Sequence, residues 1–188
     1  KKVGEKYGMA TISEIMNDCD LPMFEEYTDM IQIGARNMQN YELLKAVAKS
    51  KKPVLLKRGL AATLQEWLLA AEYLLVGGNP NIMLCERGIR TFEEEVRFTL
   101  CLGSIPALRE LTHLPIIVDP SHAMGKMRWV KDAALGGVAV GADGLIIEVH
   151  PRPEESSCDA AQLLDKEHWN DCMNAVEKVA AALGKKVV

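Results

Sequence analysis

The chain has 188 residues, of which 48% are hydrophobic and 26% charged, and a formal net charge of −4. That composition suits one globular domain with its own core. The acidic balance argues against general nucleic-acid binding, which needs a basic excess, and no apolar run approaches the ~20 residues that span a bilayer.

The first residues, KKVGEKYGMA, carry lysines without an apolar stretch behind them and do not read as a secretory signal. Strand-like apolar runs are then expected at 9–15 (MATISEI), 29–34 (DMIQIG), 53–57 (PVLLK), 81–86 (NIMLCE), 114–119 (LPIIVD) and 143–149 (DGLIIEV). Helical spacing separates them. In 63–75, Leu64, Trp67, Leu68, Ala71 and Leu75 fall on one face. Thr63 followed by Glu66 reads as a capping box, and Thr91 followed by Glu94 repeats it. Gly77-Gly78-Asn79-Pro80 stops the first of these helices, and a last helix is expected over about 166–183. Trp67, Trp129 and Trp169 sit in helical patterns and are expected in the core. The cysteines, Cys19, Cys85, Cys101, Cys158 and Cys172, lack CxxC spacing and fit thiols kept reduced in a cytoplasm.

Strands alternating with helices imply right-handed βαβ units and a parallel sheet. The near-continuous apolar strands agree, because parallel strands are buried on both faces. Six such units are too few for a closed eight-stranded barrel, which takes about 250 residues. An open doubly wound sheet is the alternative, although no GxGxxG follows any strand. No low-complexity linker divides the chain, so one domain is expected.

In parallel α/β folds, sites form at the carboxyl ends of strands. Those ends here read Gly34-Ala35-Arg36-Asn37, Lys57-Arg58-Gly59, Glu86-Arg87-Gly88-Ile89-Arg90, Asp119-Pro120-Ser121-His122 and Glu148-Val149-His150-Pro151. An acidic chain has thus gathered Arg36, Lys57, Arg58, Arg87 and Arg90 at matching positions. Converging guanidinium and ammonium groups suit phosphate. Strand alternation lets only one of Lys57 and Arg58 face inward, and likewise only one of Glu86 and Arg87. Glu148 and His150 share a strand face, His122 ends the neighbouring strand, and Asp159 lies beyond them in a polar loop. Imidazole with carboxylates is a donor set for Mn, Fe, Co or Zn.

Taken together, GARNMQN (34–40), PVLLKRG (53–59), IMLCERGIRTFE (82–93), HLPIIVDPSHAMG (113–125) and GADGLIIEVHPRPEESSCDAAQ (141–162) resemble one family. They are similar to 3-deoxy-arabino-heptulosonate 7-phosphate (DAHP) synthase of the smaller bacterial and archaeal subtype. The sister enzyme, 3-deoxy-octulosonate 8-phosphate synthase, shares many site residues, but GARN followed by KRG, ERGIRTFE and DPSH fits the heptulosonate branch better.

The resemblance implies an α/β fold of the (β/α)8 TIM barrel family. This chain would cover about six βα units, the third to eighth strands, as one partial catalytic domain over residues 1–188. It implies a metal-dependent transferase at the first step of the shikimate pathway to aromatic amino acids. That enzyme condenses phosphoenolpyruvate (PEP) with erythrose 4-phosphate. Neither nucleic acid nor membrane would be a partner, and the expected setting is a cytoplasmic homo-oligomer, dimer or tetramer. Residue by residue, His122, Glu148 and Asp159 match metal ligands, for a divalent Mn, Fe, Co or Zn ion. Arg36, Lys57 and Arg87 match residues that hold PEP. Lys57, Glu86 and His122 are the expected catalytic residues, with proton transfer open among Lys57, Glu86 and a water at the metal.

Two family features are not found in this sequence: a Cys ligand in a GPC motif on the first strand, and a KPR-type motif after the second. Cys101, in FTLCLGS, stands where many relatives carry Asp. The chain is therefore expected to be a fragment of a longer gene product. Three alternatives stay open: the octulosonate synthase, a Schiff-base aldolase using Lys57, and a catalytically incomplete scaffold or regulatory piece.

Overall fold

A computed structural model of the protein describes residues 1–187. They form two compact units, Lys1–Cys85 and Glu86 onward. In the first, the order is α1 (Lys2–Tyr7), β1 (Ile12–Glu14), α2 (Leu21–Tyr27), β2 (Met30–Ile33), α3 (Tyr41–Val47), β3 (Val54–Lys57), α4 (Leu64–Val76) and β4 (Ile82–Glu86), whose last residue begins the second unit. Strands β1 to β4 pair in chain order and in parallel, with Ile12 opposite Met30, Ile31 opposite Val54, and Val54 opposite Ile82.

The apolar strands explain this order. All four β3 residues are buried, so the strand is covered on both faces, as parallel pairing requires. Helix α4 supplies cover through Trp67, Ala70, Ala71 and Leu74, a face turned slightly from the expected one. The Trp67 indole N–H donates to the Leu56 carbonyl at 3.2 Å, so the ring buries without an orphaned donor. With Ile31, Ile33, Leu44, Val47, Val54, Leu56 and Leu84 fully or nearly fully buried, each such side chain stabilises the fold by roughly 1.5–3 kcal/mol. The Thr63 box forms as expected: Thr63 Oγ accepts the Glu66 N–H at 3.1 Å, and Glu66 Oε2 accepts the Thr63 N–H at 2.8 Å. Asn40 caps α3 in the simpler way, accepting the Leu43 N–H at 3.2 Å.

The expected 9–15 strand contracts to Ile12–Glu14. Its opening residues serve the turn after α1. Met9 N–H bonds back to Gly4, and the Thr11 N–H and hydroxyl both donate to Asp29 Oδ2, at 2.8 and 2.9 Å.

The second unit holds α5 (Ser104–Leu111), β5 (Ile116–Val118), α6 (Pro120–Met124), α7 (Met127–Ala139), β6 (Gly144–Leu145) and α8 (Lys166–Ala182). β5 and β6 are parallel, with Ile117 opposite Gly144, and the Asp119 N–H donates to the Glu86 carbonyl at 2.8 Å. Helices α7 and α8 bring Val130, Ala134 and Val138 into one cluster with Cys172, Val176 and Ala180. Both triplets repeat every four residues, the spacing of a single helix face.

Three expectations fail here. No helix starts at Thr91. Its hydroxyl instead pairs with that of Thr99 at 2.5 Å and accepts the Glu93 N–H at 3.1 Å, while Ile89 and Thr99 form an antiparallel bridge. In FEEEVR only Phe92 and Val96 could share an apolar face, and Phe92 is 98% exposed. The last strand stops at Leu145, because Glu148 gives its N–H to Ser121 Oγ and the chain re-pairs only at Val149 with Leu164. Of the three tryptophans only Trp67 is core. Trp129 is half-buried between Lys126 and Arg128, 4.3 and 4.8 Å from its ring centroid, and Trp169 is half-buried at the edge of the α7–α8 cluster. No helix is long and apolar enough to cross a membrane among the described residues.

Candidate functional site

The stretch after β5 forms the short helix α6 rather than a simple turn. Asp119 is its N-cap and Pro120 opens it, a position where the fixed proline φ suits the first helical residue. Asp119 is 1% exposed and works twice. Its Oδ1 accepts the His122 backbone N–H at 3.0 Å, and its Oδ2 lies 2.8 Å from His122 Nδ1. A carboxylate on Nδ1 holds the neutral ring's proton there and leaves the Nε2 lone pair free. That Nε2 sits 3.6 Å from Glu148 Oε1. The buried Ser121 Oγ takes the Glu148 N–H at 3.0 Å, which ties the His122 and Glu148 segments together.

Asp159 arrives from the loop after the Pro153–Glu155 turn and has φ +54°, uncommon for a residue other than glycine. Arg97 Nη1 is 2.6 Å from Asp159 Oδ1 and 2.9 Å from Gln162 Oε1. The arginine stem passes close over Gly125, whose φ is +67° and whose absent Cβ would lie 2.6 Å from Arg97 Cβ. One donor atom each from His122, Glu148 and Asp159 lie within 4.8 Å of one another, and all three residues are half-buried. An imidazole lone pair aimed at two gathered carboxylates fits a divalent transition metal. His150 and Cys158 do not join this group; the His150 ring accepts the Arg152 N–H at 3.1 Å, and Cys158 is exposed.

The basic strand ends differ in character. Arg36 is exposed in the turn Ala35–Asn37, its Nη2 3.3 Å from Glu14 Oε1, and borders a cavity of about 410 Å³ with Gly59, Leu60, Ala62 and Glu66. Lys57 and Arg58 are each 5% exposed. Arg58 donates to the Ala62 carbonyl at 2.9 Å and lies over the Trp67 ring, so it braces the β3–α4 connection. In the second unit the fully buried Glu86 accepts the Gly88 N–H at 2.7 Å and the Ser104 hydroxyl at 3.0 Å. Those bonds hold the turn that carries Arg87, whose guanidinium lies 4.1 Å over the Phe98 ring. Gly88 has φ +86°, and a Cβ there would come within 2.7 Å of Phe98. Arg90 is exposed. The sequence places Asp119 and Ser121 at a polar strand end without assigning them a role, and it does not single out Arg97 or Gln162. Asp119 carried a usable signal, an N-cap acid three residues before His122.

Residues 1–184 match the DAHP synthetase I family. The chain belongs to this family. It is 48% identical over 187 residues to the phospho-2-dehydro-3-deoxyheptonate aldolase of Thermotoga maritima, covering all of this chain and 55% of that protein. A truncated form of 3-deoxy-D-arabino-heptulosonate 7-phosphate synthase from the same organism matches with a TM-score of 0.98, over all of this chain and 71% of that one. The 2-dehydro-3-deoxyphosphooctonate aldolase of Magnetococcus marinus is more distant, at 28% identity over 95% of this chain and 66% of that protein. The chain thus spans about half the length of its Thermotoga relative. The α/β fold of the barrel family expected from the motifs is the fold of this DAHP synthetase I family chain.

Proposed function

We propose that the complete protein carrying this chain condenses PEP with erythrose 4-phosphate, giving 3-deoxy-arabino-heptulosonate 7-phosphate and phosphate. The observation that carries this reading is the gathering of His122, Glu148 and Asp159 donor atoms within 4.8 Å, in a DAHP synthetase I family chain. A divalent Mn, Fe, Co or Zn ion held there would supply Lewis acidity toward the aldehyde of erythrose 4-phosphate. His122 presents Nε2 because Asp119 occupies Nδ1. To Arg36 and Lys57 of the first unit and Arg87 of the second we assign the phosphate and carboxylate of PEP, whose negative charge they offset. Arg87 is pre-set for a planar anion by its stacking on Phe98. As the new C–C bond forms, positive charge develops at C2 of PEP and water adds there; phosphate then leaves by C–O cleavage. Proton transfer stays open among Lys57 Nζ, the Glu86 carboxylate and a water molecule. The five free cysteines suit a cytoplasmic setting.

The test is phosphate release by the complete protein, with PEP and Mn²⁺, offered either erythrose 4-phosphate or arabinose 5-phosphate. Release with erythrose 4-phosphate, abolished by EDTA, is expected. Preference for arabinose 5-phosphate would assign the sister reaction, and no release with either aldose would favour a catalytically incomplete scaffold.

A further inference from the structure

The ligand triad is backed by polar side chains that none of the recognised motifs explains. Gln162 is 2% exposed, and both ends of its amide are engaged. Nε2 donates to Glu148 Oε2, and Oε1 accepts from Arg97 Nη1, the same nitrogen that reaches Asp159 Oδ1. Only this amide orientation pairs a donor with the carboxylate and an acceptor with the guanidinium. Gln162 therefore grips one ligand carboxylate directly and the other through Arg97. Its own backbone is fixed: the Gln162 N–H bonds to the Asp159 carbonyl at 3.0 Å, and the next-but-one residue, Leu164, gives its N–H to the Glu148 carbonyl at 3.0 Å.

We propose that Gln162 is a positioning residue for the metal centre, setting the spacing and rotation of Glu148 and Asp159 before a divalent cation arrives. The inference rests on reading His122, Glu148 and Asp159 as metal ligands. Two carboxylates held this close repel each other, and Asp159 stands on a left-handed backbone, uncommon for a residue other than glycine. Arg97 offsets that repulsion, and Gln162 keeps Arg97 in place. The bond to Glu148 also selects which oxygen is presented. With Oε2 on Gln162, the remaining Oε1 is the atom that lies 3.6 Å from His122 Nε2. Outer partners of this kind typically change metal affinity about 10–100-fold when removed.

The experiment compares the complete protein with its Gln162→Met variant, which keeps the buried volume but neither hydrogen bond, and its Gln162→Asn variant, which stays polar but is too short to reach both partners. Mn²⁺ affinity is read by titration calorimetry, the ligand field by the visible spectrum of the Co²⁺-loaded protein, and folding by the metal-free unfolding midpoint. The expected result is a Kd for Mn²⁺ raised about 10–100-fold in both variants, an altered Co²⁺ band, and an unchanged metal-free midpoint. Parent-like affinity and spectrum in both variants would overturn the proposal. So would an affinity loss that merely tracks a lowered metal-free midpoint, which would make Gln162 a packing residue. Asp159→Asn, run alongside, separates the two levels: if it binds Mn²⁺ as the parent does, the metal-ligand reading itself fails. If it loses binding while the Gln162 variants do not, only the positioning role falls.

Discussion

His122 is useful only if its ring presents a lone pair, and Asp119 decides that. One carboxylate oxygen caps α6 while the other holds Nδ1 at 2.8 Å, so tautomer and helix start are set by a single buried side chain. Asp119→Asn separates the two duties. The amide oxygen can keep the cap on the His122 N–H, leaving an NH₂ group against Nδ1. The imidazole must then carry its proton on Nε2 and aim N–H, not a lone pair, at Glu148. Mn²⁺ affinity measured by calorimetry is expected to fall about 10–100-fold, with helical circular dichroism unchanged. Unaltered affinity would show that the tautomer is set elsewhere. At this scale the sequence was partly legible. DPSH placed His122 at a strand end, and the three-residue interval from Asp119 is the spacing of an N-cap. The φ of Asp159, and its dependence on Arg97 from 62 positions away, leave no local trace, because they arise from tertiary contact.

Among the elements, Thr63 and Thr91 give a controlled comparison of one signal in two contexts. Both precede a Glu by three residues, yet only Thr63 starts a helix. The difference lies in the residues C-terminal to each box. Residues 64–75 provide Trp67, Ala70, Ala71 and Leu74 for burial, whereas FEEEVR provides only Phe92, which stays exposed, and Val96. A capping box fixes where a helix begins; tertiary burial decides whether it exists. Thr63→Ala is expected to cost about 1 kcal/mol (range ~0.5–2), read from urea unfolding of the chain. The pH dependence comes from Glu66, whose carboxyl is held below its ordinary 4.5 by hydrogen bonds from the Thr63 backbone N–H and then its hydroxyl. A depressed folded-state value means the bonds stabilise fully above about pH 4.5 and lose that effect as pH falls through the lowered value. The gap between parent and Thr63→Ala should therefore be constant at neutral pH and narrow on acidification below 4.5. A gap that widens in acid would contradict this account. Tertiary context explains β6 as well: DGLIIEV (143–149) reads as one strand, but Ser121 and Leu164 capture the backbone of its second half.

For the whole molecule, alternating apolar strands and helical stretches made the parallel order readable, since each strand must find cover on both faces. The division near Cys85 was not readable, because no change of composition marks it. That division has a consequence for metal binding. His122, Glu148 and Asp159, together with Asp119, Arg97 and Gln162, all lie in the second unit. A ligand that binds only the folded state stabilises it by RT ln(1 + [L]/Kd), about 2.7 kcal/mol at a hundredfold excess over Kd. The gain should reach first those hydrogen bonds that must break when the ligands separate. These are His122 N–H on Asp119, Glu148 N–H on Ser121 and Leu164 N–H on the Glu148 carbonyl. Hydrogen exchange measured by mass spectrometry, with and without Mn²⁺, should therefore slow at 119–122, 148–150 and 162–164, and EDTA should reverse the effect. A metal held by the triad would suppress local opening at these positions, so the slowing should appear even where exchange of β1 to β3 is unchanged. Protection that rose in β1 to β3 and left residues 119–122 and 148–150 untouched would place the metal away from the triad.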